Sequence, residues 1–351
     1  MANALEQLLK EKGVLLADGA TGSNLFDAGL QTGDSPELWN DLHPDRIARQ
    51  YQSFIDAGSD IILTNTFGGT RYRLKLHQAQ DRVEELNVKA AQIAREQVDK
   101  ADRKILIGGS MGPTGEIMEP IGTLSQADAA DAFEEQALAL KKGGADIFWI
   151  ETMSSKEEVE AAVIGASRVG LPIVATFSVD TNGRTMMGLA PADIVKLAHE
   201  MEHVPYAIGA NCGVGASESI AAVVNMSVAC KQQAVDPVII VKANCGVPEY
   251  IDGKIVYSGT ADIMAEYAKL AVDAGARIIG GCCGTTPAHV AAMRAALDQH
   301  QKSEVPDLEK IVSKLGEVST GAQAQLRGEM SIAAGALSDR GEQRQRRRRR
   351  A

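Results

Sequence analysis

Long apolar runs are missing from this chain: no uninterrupted stretch approaches the ~18 residues that a membrane span requires. Cysteine is scarce as well. The five present, at 212, 230, 245, 282 and 283, are too few and too clustered for the disulfide framework of a secreted domain. Unpaired thiols point instead to a reducing compartment. The segment from Met1 to Gly13 reads as an amphipathic helix, not a signal peptide, because Glu6, Lys10, Glu11 and Lys12 interrupt it. A soluble, cytoplasmic protein without a membrane partner is expected. Positive charge is in deficit, with a formal net charge of −10, and it is unevenly placed. Residues 340–351 carry seven arginines against Glu342, a net of +6, which leaves −16 for the rest. So acidic a body argues against extended nucleic-acid contact by the folded part.

The 351 residues suffice to bury a full core without staples. Apolar, β-like runs alternate with helical patterns eight times. The strands are read at Val14–Gly19, Asp60–Thr66, Lys104–Gly109, Asp146–Thr152, Pro172–Val179, Ala207–Gly213, Pro237–Gly246 and Arg277–Gly281. Helical stretches fall near 45–57, 80–100, 126–142, 155–169, 191–203, 215–231, 260–274 and 287–300. Gly58, Gly144 and Gly275 close helices just before the next strand, as C-terminal caps do. Eight such units are the signature of a closed (β/α)8 TIM barrel, with an open doubly wound sheet as the rival. The barrel is expected over residues 1–303. Residues 304–351 are expected to hold a C-terminal helix at Val305–Leu315 and then a disordered basic tail ending in Arg346–Arg350. That arginine run reads first as a solvated tail and second as an anionic-surface or nucleic-acid attachment. Residues 304–316 carry a weak amphipathic pattern compatible with a dimerising arm, hence a homo-oligomer.

Two motifs carry the chemistry. Gly280-Gly281-Cys282-Cys283-Gly284-Thr285 and Gly209-Ala210-Asn211-Cys212-Gly213 each follow a strand and precede a helix. Active sites of such barrels lie at the C-terminal strand ends. Cys212 would end strand 6, Cys245 strand 7 and Cys282-Cys283 strand 8, so four thiols converge on one rim. Three thiolates with one open position suit a catalytic Zn2+. Spacing does not exclude Cys245, since Lys242-Ala243-Asn244-Cys245-Gly246 nearly duplicates the Cys212 motif. Cys230, on a helix, reads as a small apolar residue. His199-Glu200-Met201-Glu202-His203 matches the H-E-x-x-H pattern of zinc proteases, but it lies at a helix end on the face opposite the active rim.

Two carboxylates are expected on the active rim: Asp18 closing strand 1 and Glu151 closing strand 4. They suit the ammonium group of a zinc-bound thiol substrate. Backbone N–H groups bared by Gly19 and Ala20 suit its carboxylate. Asp18-Gly19 also reads as an ordinary turn, whereas a carboxylate ending so apolar a strand as that of Glu151 needs a partner.

Together, Asp18-Gly19-Ala20-Thr21-Gly22, Thr64-Asn65-Thr66-Phe67, Glu151-Thr152-Met153, Gly209-Ala210-Asn211-Cys212 and Gly281-Cys282-Cys283-Gly284 resemble the homocysteine S-methyltransferase family over about residues 10–300. Within it the chain is most similar to the bacterial betaine–homocysteine methyltransferases. The resemblance implies a TIM barrel in which Cys212, Cys282 and Cys283 bind zinc and Cys245 does not. It implies homocysteine as thiolate in the fourth position, with Asp18 and Glu151 near its amino group and Gly19 and Ala20 near its carboxylate. The metal favours the thiolate near neutral pH, so the methyl transfer needs no general base.

Glycine betaine, a quaternary ammonium donor, calls for aromatic faces, and the candidates are Trp39, Phe67, Tyr72 and Trp149, each also readable as core. Two tyrosines near the donor in animal betaine enzymes fall on Gly68 and Thr152 here. The segment Gly33–Asn40 resembles the homocysteine module of cobalamin-dependent methionine synthase, so a corrinoid partner or a sulfonium donor is the alternative. A third reading is a zinc-stabilised barrel that binds through its arginine tail. It predicts that removing residues 304–351 abolishes function while Cys282→Ala only destabilises.

Overall fold

The computed structural model describes residues 3–251 and 254–329, and the expected arginine tail at 346–350 lies outside them. Eight parallel strands form one sheet: β1 (Leu15–Leu16), β2 (Ile61–Leu63), β3 (Leu106–Met111), β4 (Ile147–Met153), β5 (Ile173–Ser178), β6 (Ala207–Cys212), β7 (Val238–Ala243) and, after a hairpin of β8 (Pro248–Ile251) and β9 (Lys254–Tyr257), β10 (Ile278–Gly281). Their order is β1-β10-β7-β6-β5-β4-β3-β2, and a parallel bridge between Ala17 and Ile61 joins the two edges. The fold is therefore a (β/α)8 TIM barrel, as expected from the alternation of the sequence, and not the rival open sheet. Helices Pro44–Asp56, Val83–Val98, Gln126–Gly143, Lys156–Ser167, Pro191–Glu200, Ala216–Gln233, Ala261–Ala274 and Pro287–Gln299 form the outer layer.

Strand parity sorts the core into two layers. Leu15, Ile61, Leu63, Leu106, Ile147, Trp149, Val174, Ala207, Ile240 and Ile278 pack together inside the barrel. Their neighbours Leu16, Ile62, Ile107, Phe148, Ile150, Ala175, Ile208, Val241 and Ile279 pack against the helices. Buried on both faces, such strands read as continuous apolar runs instead of alternating ones. Helix Ala4–Lys12 inserts Leu5, Leu8 and Leu9 into the interior cluster and seals it. The inward parity of β4 and β7 continues upward from Trp149 to Glu151 and from Ile240 to Lys242, where the apolar filling gives way to charge.

Three features depart from expectation. Strands β1, β2 and β7 stop at Leu16, Leu63 and Ala243, each three residues short of the Gly19, Thr66 and Gly246 read from sequence, and after β7 the chain forms the unexpected β8–β9 hairpin. Helix Thr320–Leu326, capped by the Ser319 side chain, replaces part of the expected unstructured stretch. With helix Leu308–Leu315 it packs on the barrel: Ile311 is fully buried, Ser217 Oγ donates to Glu317 O at 2.8 Å, and Gln325 Nε2 donates to Asn182 O at 3.1 Å. Among the described residues no helix is long and apolar enough to cross a membrane.

Candidate metal and substrate site

Cys212 ends β6 with φ at +62°, a conformation that L-residues rarely adopt and that concentrates at functional sites. Gly213 follows at φ +75°, where a Cβ would lie 2.3 Å from Val179 O. Cys282 and Cys283 follow β10, with the Cys282 N–H donating to Ala243 O at 2.7 Å. A Cβ on Gly281 would lie 2.3 Å from Thr285 Oγ1, so only glycine allows this turn to fold so tightly. The three Sγ atoms lie within 4.8 Å of one another, and those of Cys212 and Cys283 are 4.0 Å apart. Zn–S bonds of about 2.3 Å in a tetrahedron put sulfurs roughly 3.8 Å apart, so the trio fits zinc with little movement. Among the described residues it is the one cluster with metal-ligating geometry.

The thiols hold their protons tightly. At Cys212 the contact with Cys282 lowers the pKa, but the contact with Cys283 and burial prevail and the thiol stands at about 11. Cys282 is raised to about 12 by its hydrogen bond with Cys212 and by burial, against a lowering by Cys283. For Cys283, Cys212 lowers the value, while Cys282 and burial carry it to about 12.

Asn211, next to Cys212, ties the strand ends together. Its Oδ1 accepts from Thr152 N and Thr176 Oγ1, both at 2.8 Å, and its Nδ2 donates to Thr152 Oγ1 at 2.8 Å and lies 3.9 Å from Cys282 Sγ. Thr152, at φ +64° beside a register shift in β4, is thereby fixed.

The three thiols open into a cavity of about 360 Å³, within the range of small-molecule sites. Glu151, Gly19 and Ala20 line it, as expected. Glu151 accepts from Ser110 Oγ at 2.5 Å. Burial raises its carboxyl pKa, and Lys242 and Ser110 pull it back. The Ala20 N–H is already spent on Thr285 O at 3.0 Å, so of the two expected N–H groups only that of Gly19 has no acceptor among the described residues. Asp18 is not on the cavity wall. It lies behind Lys242, whose Nζ is 2.6 Å from Asp18 Oδ1, while Asp18 Oδ2 accepts from Leu63 N at 2.8 Å. Burial would lower the pKa of Lys242, but Asp18 and Glu151 more than offset it, so the ammonium stays charged. A lysine closing an apolar strand gives no sequence signal of this role.

Cys245 does not join the cluster. Its buried Sγ turns to Gly259 O at 3.1 Å and His289 Nε2 at 3.3 Å, so three thiols converge, not four. The H-E-x-x-H pair dissolves too. The helix stops at Glu200, leaving His203 outside it, and His199 lines a separate cavity with Tyr206 and Pro237, at the starts of β6 and β7.

At the mouth, Phe67 is the one aromatic lining residue among the four candidates. Trp39 is buried beneath Arg46, Trp149 lies under Lys242, and Tyr72 packs with Met118 and Leu124. Glu37 accepts from Gly68 N at 2.7 Å, and its carboxylate fills the space that a side chain at 68 would need. Arg73 also lines the mouth and forms no ion pair among the described residues. Tyr257, from the unforeseen hairpin, lies against Gly284. Burial, then the nearby Cys283, pushes its phenol above its usual range.

The sequence profile described as homocysteine S-methyltransferase matches residues 15–297. Methionine synthase of Mycobacterium tuberculosis is 32% identical over 311 residues, covering 83% of this chain and 25% of that protein. Its counterpart in Mycobacterium leprae is 30% identical over 327 residues, 88% of this chain and 26% of that one. The chain thus spans about a quarter of the length of these relatives. Among solved structures, the metallated form of the homocysteine methyltransferase MmuM from Escherichia coli superposes with a TM-score of 0.66 at 24% identity, over 84% of this chain and 99% of that one. At that identity the likeness speaks for the barrel.

Proposed function

Because the chain belongs to the homocysteine S-methyltransferase family, we propose that it transfers a methyl group from glycine betaine to homocysteine, giving methionine and dimethylglycine. The observation that carries this reading is the three-thiol cluster opening into a cavity that also holds a buried carboxylate. Cys212, Cys282 and Cys283 would hold Zn2+, which when bound supplies the affinity that keeps the homocysteine sulfur unprotonated at neutral pH. Glu151 holds the substrate ammonium, and the Gly19 N–H in its turn beside Ala20 receives the carboxylate. The thiolate then forms the new S–C bond as the methyl–nitrogen bond breaks, and the nitrogen keeps the electron pair. Asn211 orients the ends of β4 to β6 around the cysteines. In the outer cavity the ring of Phe67 and the Glu37 carboxylate suit the cationic end of betaine, and the unpaired Arg73 suits its carboxylate.

The division into a catalytic barrel over residues 1–303 and a C-terminal region over 304–351, whose two helices pack on that barrel, belongs to this proposal. So does a cytoplasmic location, which the five free thiols support. One observation favours a second donor. The mycobacterial relatives are methionine synthases about four times as long, which fits a barrel that receives its methyl group from a corrinoid partner, with a small sulfonium compound as the remaining option.

The test is purified, zinc-loaded protein with homocysteine and glycine betaine and no other protein. Stoichiometric methionine and dimethylglycine are expected. Methionine formed only after a methylated corrinoid protein or a sulfonium donor is added contradicts the betaine reading.

A further inference from the structure

Lys242 is the least expected group at this site. Its side chain is 2% exposed, yet it reaches the cavity wall beside Glu151, whereas Asp18, 3% exposed, stands behind it. One Nζ hydrogen bond goes to Asp18 at 2.6 Å, and the Trp149 ring centroid lies 5.6 Å from Nζ. Asp18 is then engaged at both oxygens, because the second takes the Leu63 N–H. Glu151 is not: one oxygen takes the Ser110 hydroxyl, and the carboxyl lines the cavity. With both carboxyls ionised, Asp18, Glu151 and Lys242 sum to −1 out of water, where an unmatched charge is costly. A substrate bringing one ammonium makes the group neutral.

We propose that Lys242 is a specificity-determining positioning residue that occupies Asp18 and so leaves Glu151 as the single carboxylate open to the α-ammonium of a thiol amino acid. This rests on the reading of the cavity as a homocysteine site, but not on the identity of the methyl donor. The arrangement has a consequence that direct contact between Asp18 and the substrate does not share. If Asp18 loses its charge, Lys242 turns to Glu151, the nearest remaining carboxylate, and blocks it. Removing Lys242 as well frees Glu151 again.

The experiment measures equilibrium binding of homocysteine and of 4-mercaptobutyrate, which lacks only the amino group, to zinc-loaded protein by calorimetry, with zinc content checked in every variant. Wild type is expected to prefer homocysteine by ~100-fold, the scale of one buried charge-assisted contact. Asp18→Asn and Glu151→Gln should each reduce the preference to ~3-fold or less. The double variant Asp18→Asn, Lys242→Met should restore it to within ~10-fold of wild type. This pair removes opposite charges together, so it avoids the unmatched charge that Lys242→Met alone would bury. The proposal is overturned if the double variant stays as unselective as Asp18→Asn, which would mean that Asp18 itself holds the ammonium. It is equally overturned if Asp18→Asn keeps full selectivity. Wild type with no preference for homocysteine would instead contradict the underlying reading of the cavity.

Discussion

At neutral pH the thiols of Cys212, Cys282 and Cys283 keep their protons unless a metal displaces them, because each is raised to about 11 or 12 in the metal-free cluster. A metal takes thiolates, so its binding must release close to three protons. Below those values the thiolate fraction of each group rises tenfold per pH unit. Apparent zinc affinity should therefore climb by ~10³ for each unit between pH 6 and 8, and zinc should be lost as the solution is acidified. Competition against a chelator of known protonation behaviour measures this slope, and a pH-independent affinity contradicts it. These residues are legible in the sequence because each sits between glycines at the end of an apolar run, a setting with little structural purpose of its own. Lys242 is not legible, since its importance lies in facing Asp18 across 224 positions of sequence. Cys245 is misleading for the related reason that a near-copy of a motif does not say which way its sulfur turns.

The strands and helices are legible for simple physical reasons. Strands of a covered parallel sheet must be apolar on both faces, and glycine must close helices that end left-handed, as Gly144 and Gly275 do at φ +106° and +113°. The β8–β9 hairpin escapes notice because it interrupts an otherwise regular strand-to-helix connection after β7. At this scale Asn211 is the element that couples strand ends to chemistry. It is 1% exposed and bridges β4, β5 and β6, so Asn211→Ala strands the Thr152 N–H and the Thr176 hydroxyl. A loss of roughly 2–4 kcal/mol is expected from the unsatisfied groups. Denaturant unfolding reads the stability and a zinc-competition assay the metal. Near-wild-type stability would show that the strand ends are held by other contacts.

For the molecule as a whole, the three-thiol cavity opens at one end of the barrel and the other end is closed by helix Ala4–Lys12. The C-terminal region holds more structure than its composition suggests. Helices Leu308–Leu315 and Thr320–Leu326 are part of the packed body, holding Ile311 and Gln325 against it; the first is expected from its apolar pattern, whereas the second is mostly small and polar. Deleting residues 330–351 is expected to leave kcat/KM for homocysteine within about twofold, since the described cavity is built without them. Deleting 304–351 should lower Tm by about 5 °C or more, because it uncovers the apolar face of helix Ala216–Gln233. Turnover assays and thermal scans of the two truncations check this. Loss of all activity in the shorter deletion would favour a binding role for the tail.

The central claim is that three cysteines hold a zinc ion and leave one position for the substrate sulfur. X-ray absorption at the zinc edge tests it most directly, on the reduced protein with and without homocysteine. One zinc per chain is expected, coordinated by three sulfurs and one light atom alone and by four sulfurs with homocysteine. A zinc shell unchanged by homocysteine, or no stoichiometric zinc, would contradict it.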